Sequence, residues 1–438
     1  MSSTPQVYQS TFLAGTDARA QGSVLTHGSL LLNTWRPSKL VQYCLDKAVS
    51  RTVFSLLLLL NILGNLGWAL DRGRSLQDLG SFLHSGASYK LGVNPYAYHF
   101  WIFPQPISAD ALNLNPPISI YFFELMTLVS SNLVKYSLFA TTVVLFLITV
   151  LALVRVYPNK RDPVILLLTF GLAGLWHLLG YLQIYAPLIV AVVAAWLSMR
   201  RGNLLIAGLL IGFVAAVKPN FIIWPALLLA GGHWRISLYA IATAAIISVI
   251  PLAIDGPEVY REWLDLSLSF GGLQWASNAS LASMGYRFGL PVAGQIMGSA
   301  LVVAVAAWLW RQRPGLLDAT SLALVTVLLF GPISWAGYTL FLLPVLFSRP
   351  WDSPIWAAVL MLNAPFWLVR EATIFDPVSN VLVGGLYTWA LILILGSLMA
   401  QGCKEASSVR SEAEVLPITP EALTQSHQAA VPVPEPVL

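Results

Sequence analysis

Charge is what this chain has least of: Asp, Glu, Lys and Arg make up 10% of its 438 residues, against about 25% in a soluble globular protein. A soluble fold of this length needs far more charge to keep its surface in water, so that class is excluded. Cysteine is nearly absent. Cys44 and Cys403 sit in polar stretches near the two ends without metal-ligand spacing, which gives no ground for a disulfide framework or a zinc site. Histidine is sparse too, with six in all and none at metal-ligand spacing. His84 and His99 share one polar segment, and His177 falls in an apolar run, where a satisfied core role is expected. The chain lacks a Gly-rich phosphate loop of the nucleotide type, which argues against ATP-driven transport. The polar first fifty residues lack the basic start, short apolar stretch and small-residue cleavage site of a signal peptide, so the first span reads as an uncleaved anchor.

What the chain has in excess is apolar and aromatic. Hydrophobic residues make up 57% of it, with 16 Trp and 15 Tyr, a mixture that suits a bilayer with amphipathic rings at its two interfaces. The net charge of +4 then serves to orient the chain rather than to bind nucleic acid. About thirteen stretches approach the roughly 20 apolar residues of a span, from Val53–Leu70 to Val381–Met399. Ile118–Leu133 is expected not to cross, because it is short, follows Pro116-Pro117 and contains Glu124. The fold class expected is therefore all-α, a polytopic bundle of about 12 spans (11–13).

Short-loop Lys and Arg mark the cytoplasmic side. Arg200, Arg201, Arg235, Arg311, Arg313 and Arg349 fall on one side, together with Arg36, Lys39, Lys47 and Arg51 before the first span. Residues 1–50 are thus expected to form a cytoplasmic segment, 51–400 a transmembrane domain, and 401–438 a disordered cytoplasmic tail rich in Pro at its end. The outer segments are then 71–115, 255–291, 331–338 and 370–380, and outward-facing chemistry belongs there.

Four features stand out. Leu76, Leu79, Phe82 and Leu83 repeat at three and four residues, as in an amphipathic helix lying in the interface, and Asp78 sits near its start. Asp78 is either a base for an acceptor hydroxyl or a carboxylate favoured at the first turn by the helix dipole. Lys218, followed by Pro219, stands at the end of a span; it either meets a lipid phosphate or snorkels to the headgroups. The run from Gln274 to Arg287 combines Trp275, amides, hydroxyls and an Arg suited to bidentate phosphate contact, or is a polar loop without a ligand. Ser334, Trp335 and Tyr338 lie in a loop that interfacial anchoring explains.

Taken in order, six markers resemble glycosyltransferase family 87 over residues 50–400: Asp78 followed by Gly92-Val-Asn-Pro-Tyr96, Asn115-Pro-Pro117, Tyr181-Leu-Gln183, Lys218-Pro219, Asn278 with Ser280-Leu281, and Pro332-Ile-Ser-Trp335. The resemblance implies a GT-C type bundle in a bacterial inner membrane that moves a hexose, mannose in particular, from a polyprenyl-phosphate-sugar donor to a lipid or glycan acceptor on the outer face. It implies inversion with Asp78 as general base, the donor phosphate at Lys218 and Arg287, and substrate contacts at Asn94, Tyr96, Gln183, Asn278, Ser280 and Trp335. It implies neither a cofactor nor a metal. The chain departs from the family pattern in two places: Leu182 stands where Gly is usual, and Ala336-Gly337-Tyr338 follows Ser334-Trp335 where a His is usual. A transporter or flippase of a lipid-linked or small polar substrate, or a catalytically silent relative, is the alternative.

Overall fold

The computed structural model describes residues 48–72, 77–99, 101–102, 112–373 and 376–415. Among them the regular structure is helical. The first helix, α1 (Ala48–Arg72), is followed by α2 (Gln77–Lys90), α3 (Ile118–Met126) and α4 (Ser131–Val156). Next come α5 (Pro163–Gly171), α6 (Ala173–Tyr181), α7 (Ala186–Arg200), α8 (Leu204–Val217), α9 (Ile223–Ala230) and α10 (Trp234–Asp255). The second half holds α11 (Glu258–Ser269), α12 (Leu281–Arg287), α13 (Pro291–Gln312), α14 (Leu316–Phe330), α15 (Leu343–Ser348), α16 (Ser353–Leu362), α17 (Phe366–Ala372), α18 (Pro377–Leu382) and α19 (Leu386–Val415).

Five segments are long and apolar enough to cross a membrane: α1, α4, α5 with α6, α10 and α13. Seven shorter apolar segments of 10–17 residues join them, so five of the twelve or so expected spans reach crossing length. The two sets occupy different places. In α1, α4, α10 and α13 only 17–28% of the most apolar stretch is buried, whereas α14 is buried without interruption from Ala319 to Leu329. Four of the five long segments thus face lipid, whereas α5 with α6, 78% buried, joins short helices in the interior, where neighbouring protein satisfies helix ends that hydrocarbon would leave unpaired. Trp196, Trp224, Phe341, Phe347 and Tyr387 pack this interior.

The bundle gathers basic side chains at one end and polar and aromatic ones at the other, with Arg72 in the last turn of α1 an exception at the latter. At the basic end Arg51 pairs with Asp162 at 2.5 Å, Arg349 pairs with Asp318, Arg200 lies over Tyr157 and Lys160 over Trp351. At the other end Asp255, where α10 stops, accepts from Tyr89 at 2.8 Å and Tyr121 at 2.6 Å, and Trp263 donates to the Leu114 carbonyl at 3.1 Å. The segment expected not to cross is split: α3 covers nine residues, about 13 Å of rise, and docks on α2 instead. Gly86 permits that docking, because a Cβ there would overlap the Phe123 carbonyl. The domain boundary expected at residue 400 falls within α19.

α6 ends in a way that matters for the site. Leu182 adopts φ 53°, ψ 48°, and the Gln183 N–H bonds the Leu178 carbonyl at 3.0 Å while the Leu182 N–H reaches Leu179 at 3.4 Å. These bonds make a Schellman cap, whose left-handed position usually holds Gly. Holding an L-residue there costs about 1–2 kcal/mol. The Leu182 side chain, however, is buried among Leu79, Phe82, Phe123 and Met126, and truncating a buried Leu costs about 2–5 kcal/mol. Packing wins, which accounts for Leu at a position where Gly is usual. Leu182→Gly is therefore expected to destabilise by about 1–3 kcal/mol, read as a lower thermal midpoint of the purified protein. A rise in the midpoint would show that backbone strain dominates.

Candidate active site

Asp78 lies in the first turn of α2, and its carboxylate accepts from Gln183 Nε2, the side chain that the α6 cap turns back toward it. The two line one cavity of about 60 Å³, room for about four waters. Asn115, His177, Tyr181 and Tyr185 form further wall, and Trp275 and Trp335, packed against each other with ring centroids 5.6 Å apart, add to it. Burial pushes the Asp78 carboxyl up to about 7, against the pull of Arg72, Lys218 and the Gln183 hydrogen bond. An acid poised there serves as a proton acceptor near neutral pH.

Lys218 is buried, 8% exposed, and the snorkelling reading fails on that burial. Its Nζ donates to Tyr185 Oη at 2.7 Å and Tyr338 Oη at 2.6 Å, and lies 4.0 Å from the Tyr185 ring centroid. Two phenol oxygens and two ring faces hold the cation beside the cavity, without a carboxylate in direct contact among the described residues. Tyr338 is not an interfacial anchor, since it is 3% exposed and bound to Lys218. Tyr185 in turn donates to Asn115 Oδ1 at 3.3 Å, which ties the cation to the start of α3.

Asn278 and Ser280 act through the backbone. Asn278 Nδ2 donates to the Pro332 carbonyl at 3.0 Å, and its Oδ1 accepts from the Ser334 N–H at 2.9 Å. The Ala279 N–H bonds the Ser334 carbonyl at 2.7 Å, the Ala336 N–H bonds the Ser277 carbonyl at 2.6 Å, and Ser280 Oγ donates to Pro332 at 3.2 Å while capping α12. This stitching brings two loops distant in sequence together and sets Trp275 and Trp335 on the cavity wall.

The other expected site residues stand apart from the lining. Asn94 Oδ1 accepts from the Tyr96 N–H at 2.7 Å and the Ala97 N–H at 3.1 Å, a turn-forming role. Tyr96 is buried against Ile120 and Val259 and donates to the Asn115 carbonyl at 3.0 Å. Arg287 donates to Asn380 Oδ1 at 2.8 Å, the Trp275 carbonyl at 3.0 Å and Ser283 Oγ at 3.2 Å, so it supports the Trp275 loop from behind.

Besides Tyr185, sequence reasoning missed Arg72 and misjudged His177. Arg72, in the last turn of α1, holds its guanidinium 5.3 Å from the Tyr181 ring centroid and exerts the strongest pull of any charge on Asp78. In the sequence it reads as one more basic residue flanking a span. His177 was expected to be a satisfied core residue, but it lines the cavity and its Nδ1 is buried without a hydrogen-bond partner among the described residues.

A carboxylate poised to take a proton, a clamped cation beside it and an aromatic pair around one cavity suit transfer of a sugar from a phosphate leaving group. The comparison with known proteins agrees at the level of family. The family model of glycosyltransferase family 87 matches residues 113–332, half of the chain. None of the curated proteins and none of the solved structures matches. The chain belongs to glycosyltransferase family 87 and is a membrane glycosyltransferase.

Proposed function

We propose that this glycosyltransferase takes a hexose, mannose in particular, from a polyprenyl-phosphate donor and passes it to a lipid or glycan acceptor at the outer face of a bacterial inner membrane, with both termini in the cytoplasm. Asp78 removes the acceptor hydroxyl proton as that oxygen attacks the anomeric carbon. The bond from that carbon to the phosphate oxygen breaks in the same displacement, with inversion, and the polyprenyl phosphate leaves carrying the charge. Lys218 is the cation placed to stabilise it, with Arg72 as a second. A lipid monophosphate leaving group of this kind calls for no nucleotide-binding fold.

The observation that carries the reading is that Asp78 and the Lys218–Tyr185–Tyr338 clamp meet beside one cavity at the polar end of the bundle. A sugar ring needs more room than the cavity offers, so binding displaces wall side chains, and Trp275 and Trp335 stand on loops that border it. The test is incubation of purified protein with radiolabelled polyprenyl-phosphate hexoses and membrane lipid extract. Label is expected to move to a new lipid or glycan product. Label that stays on every donor offered would refute this reading and favour a transporter or a silent relative.

A further inference from the structure

His177 is the buried polar group at this site that the chemistry above leaves unused. It is 3% exposed, and its Nδ1, like Gln183 Oε1 of the same cavity lining, is buried without a hydrogen-bond partner among the described residues. Leaving such an atom buried and unbonded costs about 1–3 kcal/mol, and native proteins leave few of them without a reason. The ring is held firmly. It packs 4.7 Å from the Tyr181 centroid and edge-on to Phe366 at 5.2 Å, so the imidazole has a fixed place in the wall. Close backbone packing supports it, since Gly174, three residues before it on α6, lies against the Ala336 carbonyl and Thr339 with no room for a Cβ.

Resting on the transfer reading above, we propose that His177 is a sugar-contacting residue, with Nδ1 and the Gln183 Oε1 hydrogen-bonding ring hydroxyls of the hexose while Trp275 and Trp335 cover its apolar face. His177, Gln183 and the aromatic pair line one cavity, and a pyranose presents that same alternation of hydroxyl edge and C–H face. His177 thus sets which hydroxyl pattern is accepted, because a buried polar atom left unpaired by the wrong sugar penalises it.

Replacing His177 by Phe removes the nitrogens and keeps a ring of similar size. If Nδ1 is an unsatisfied atom held for a ligand, the variant keeps its fold with an unchanged or raised thermal midpoint, where loss of a merely structural His lowers it. Binding is read by tryptophan fluorescence of the purified protein titrated with decyl-phosphate hexoses and their single-deoxy analogues. In the wild type, removal of one particular hydroxyl is expected to weaken binding about tenfold to a hundredfold. In His177→Phe the parent sugar binds about as weakly as that deoxy analogue, and the analogue loses nothing further; His177→Gln recovers part of the loss. A variant that binds the parent sugar as tightly as the wild type would overturn the assignment, as would one that loses every analogue by the same factor. Binding that follows the expected pattern without transfer to any acceptor would uphold the subsite and count against the transferase mechanism; transfer that keeps wild-type rate and sugar preference in His177→Phe would do the reverse.

Discussion

Asp78→Asn loses sugar transfer by about 10²–10⁴-fold in kcat while the protein remains folded, since that is the range a positioned general base contributes. Asn keeps the shape and an acceptor oxygen for Gln183 Nε2, so the α2–α6 junction is retained. The fold is expected to hold or gain stability above neutral pH. The carboxyl sits near 7 in the folded protein against an ordinary value of 3.8, so the folded state holds the proton more tightly than the unfolded chain. Stability from this group is then full below the ordinary value and declines as pH rises toward 7. Asn has no such loss. Transfer assays and thermal midpoints on the same preparations separate the two effects, and undiminished transfer would remove Asp78 from the mechanism.

Lys218→Met is the second large effect. Met matches the aliphatic stem and removes the charge that faces the leaving phosphate, so transfer falls about 10²–10³-fold, the range for losing one preorganised electrostatic partner. Stability changes little by comparison, because relief of a buried charge is offset by two buried phenol oxygens that lose their donor. Lys218→Arg recovers only part of the rate. The clamp offers two phenol oxygens to a compact ammonium, and a planar guanidinium does not fit that geometry. Wild-type transfer in Lys218→Met would place the phosphate elsewhere, with Arg72 as the remaining cation at the site.

The parts of this site that were readable in the sequence are those that interrupt apolar stretches. Asp78 and Lys218 stand out because an ionisable side chain beside a span is costly without a partner, while Gln183 entered only through the family resemblance. Their partners were not readable. Tyr185 and Tyr338 are separated from Lys218 by tens of residues and look like ordinary interfacial aromatics, and only the stitching of Asn278 to Pro332 and Ser334 brings Trp275 to Trp335. His177 was misread for the same reason. Its neighbours in sequence are apolar, and periodicity does not show that one helix face lines a cavity. Asn94 and Tyr96 were expected as substrate contacts only through the family resemblance, and in the structure they close a turn and anchor a loop.

The membrane architecture was legible as a class but not as a count. Apolar stretches of 10–17 residues read as spans by composition, and a fully buried interior helix such as α14 has the same uniform hydrophobicity. Length and exposure separate the two, and exposure is a property of the fold. The break at Leu172 between α5 and α6, which sets His177 and Tyr181 on the cavity, follows from backbone geometry that a continuous apolar run conceals.

Asp78 is the carboxyl that changes charge near neutral pH and must be ionised for transfer to proceed by this route. The most direct measurement is the single-turnover rate of transfer between pH 5 and 9 at saturating donor. A tenfold fall per unit on the acid side with a midpoint near 7 is expected, moved upward in Gln183→Ala, where the hydrogen bond that favours the carboxylate is gone. A rate independent of pH across that range, or a limb at the ordinary carboxylate value, would contradict it.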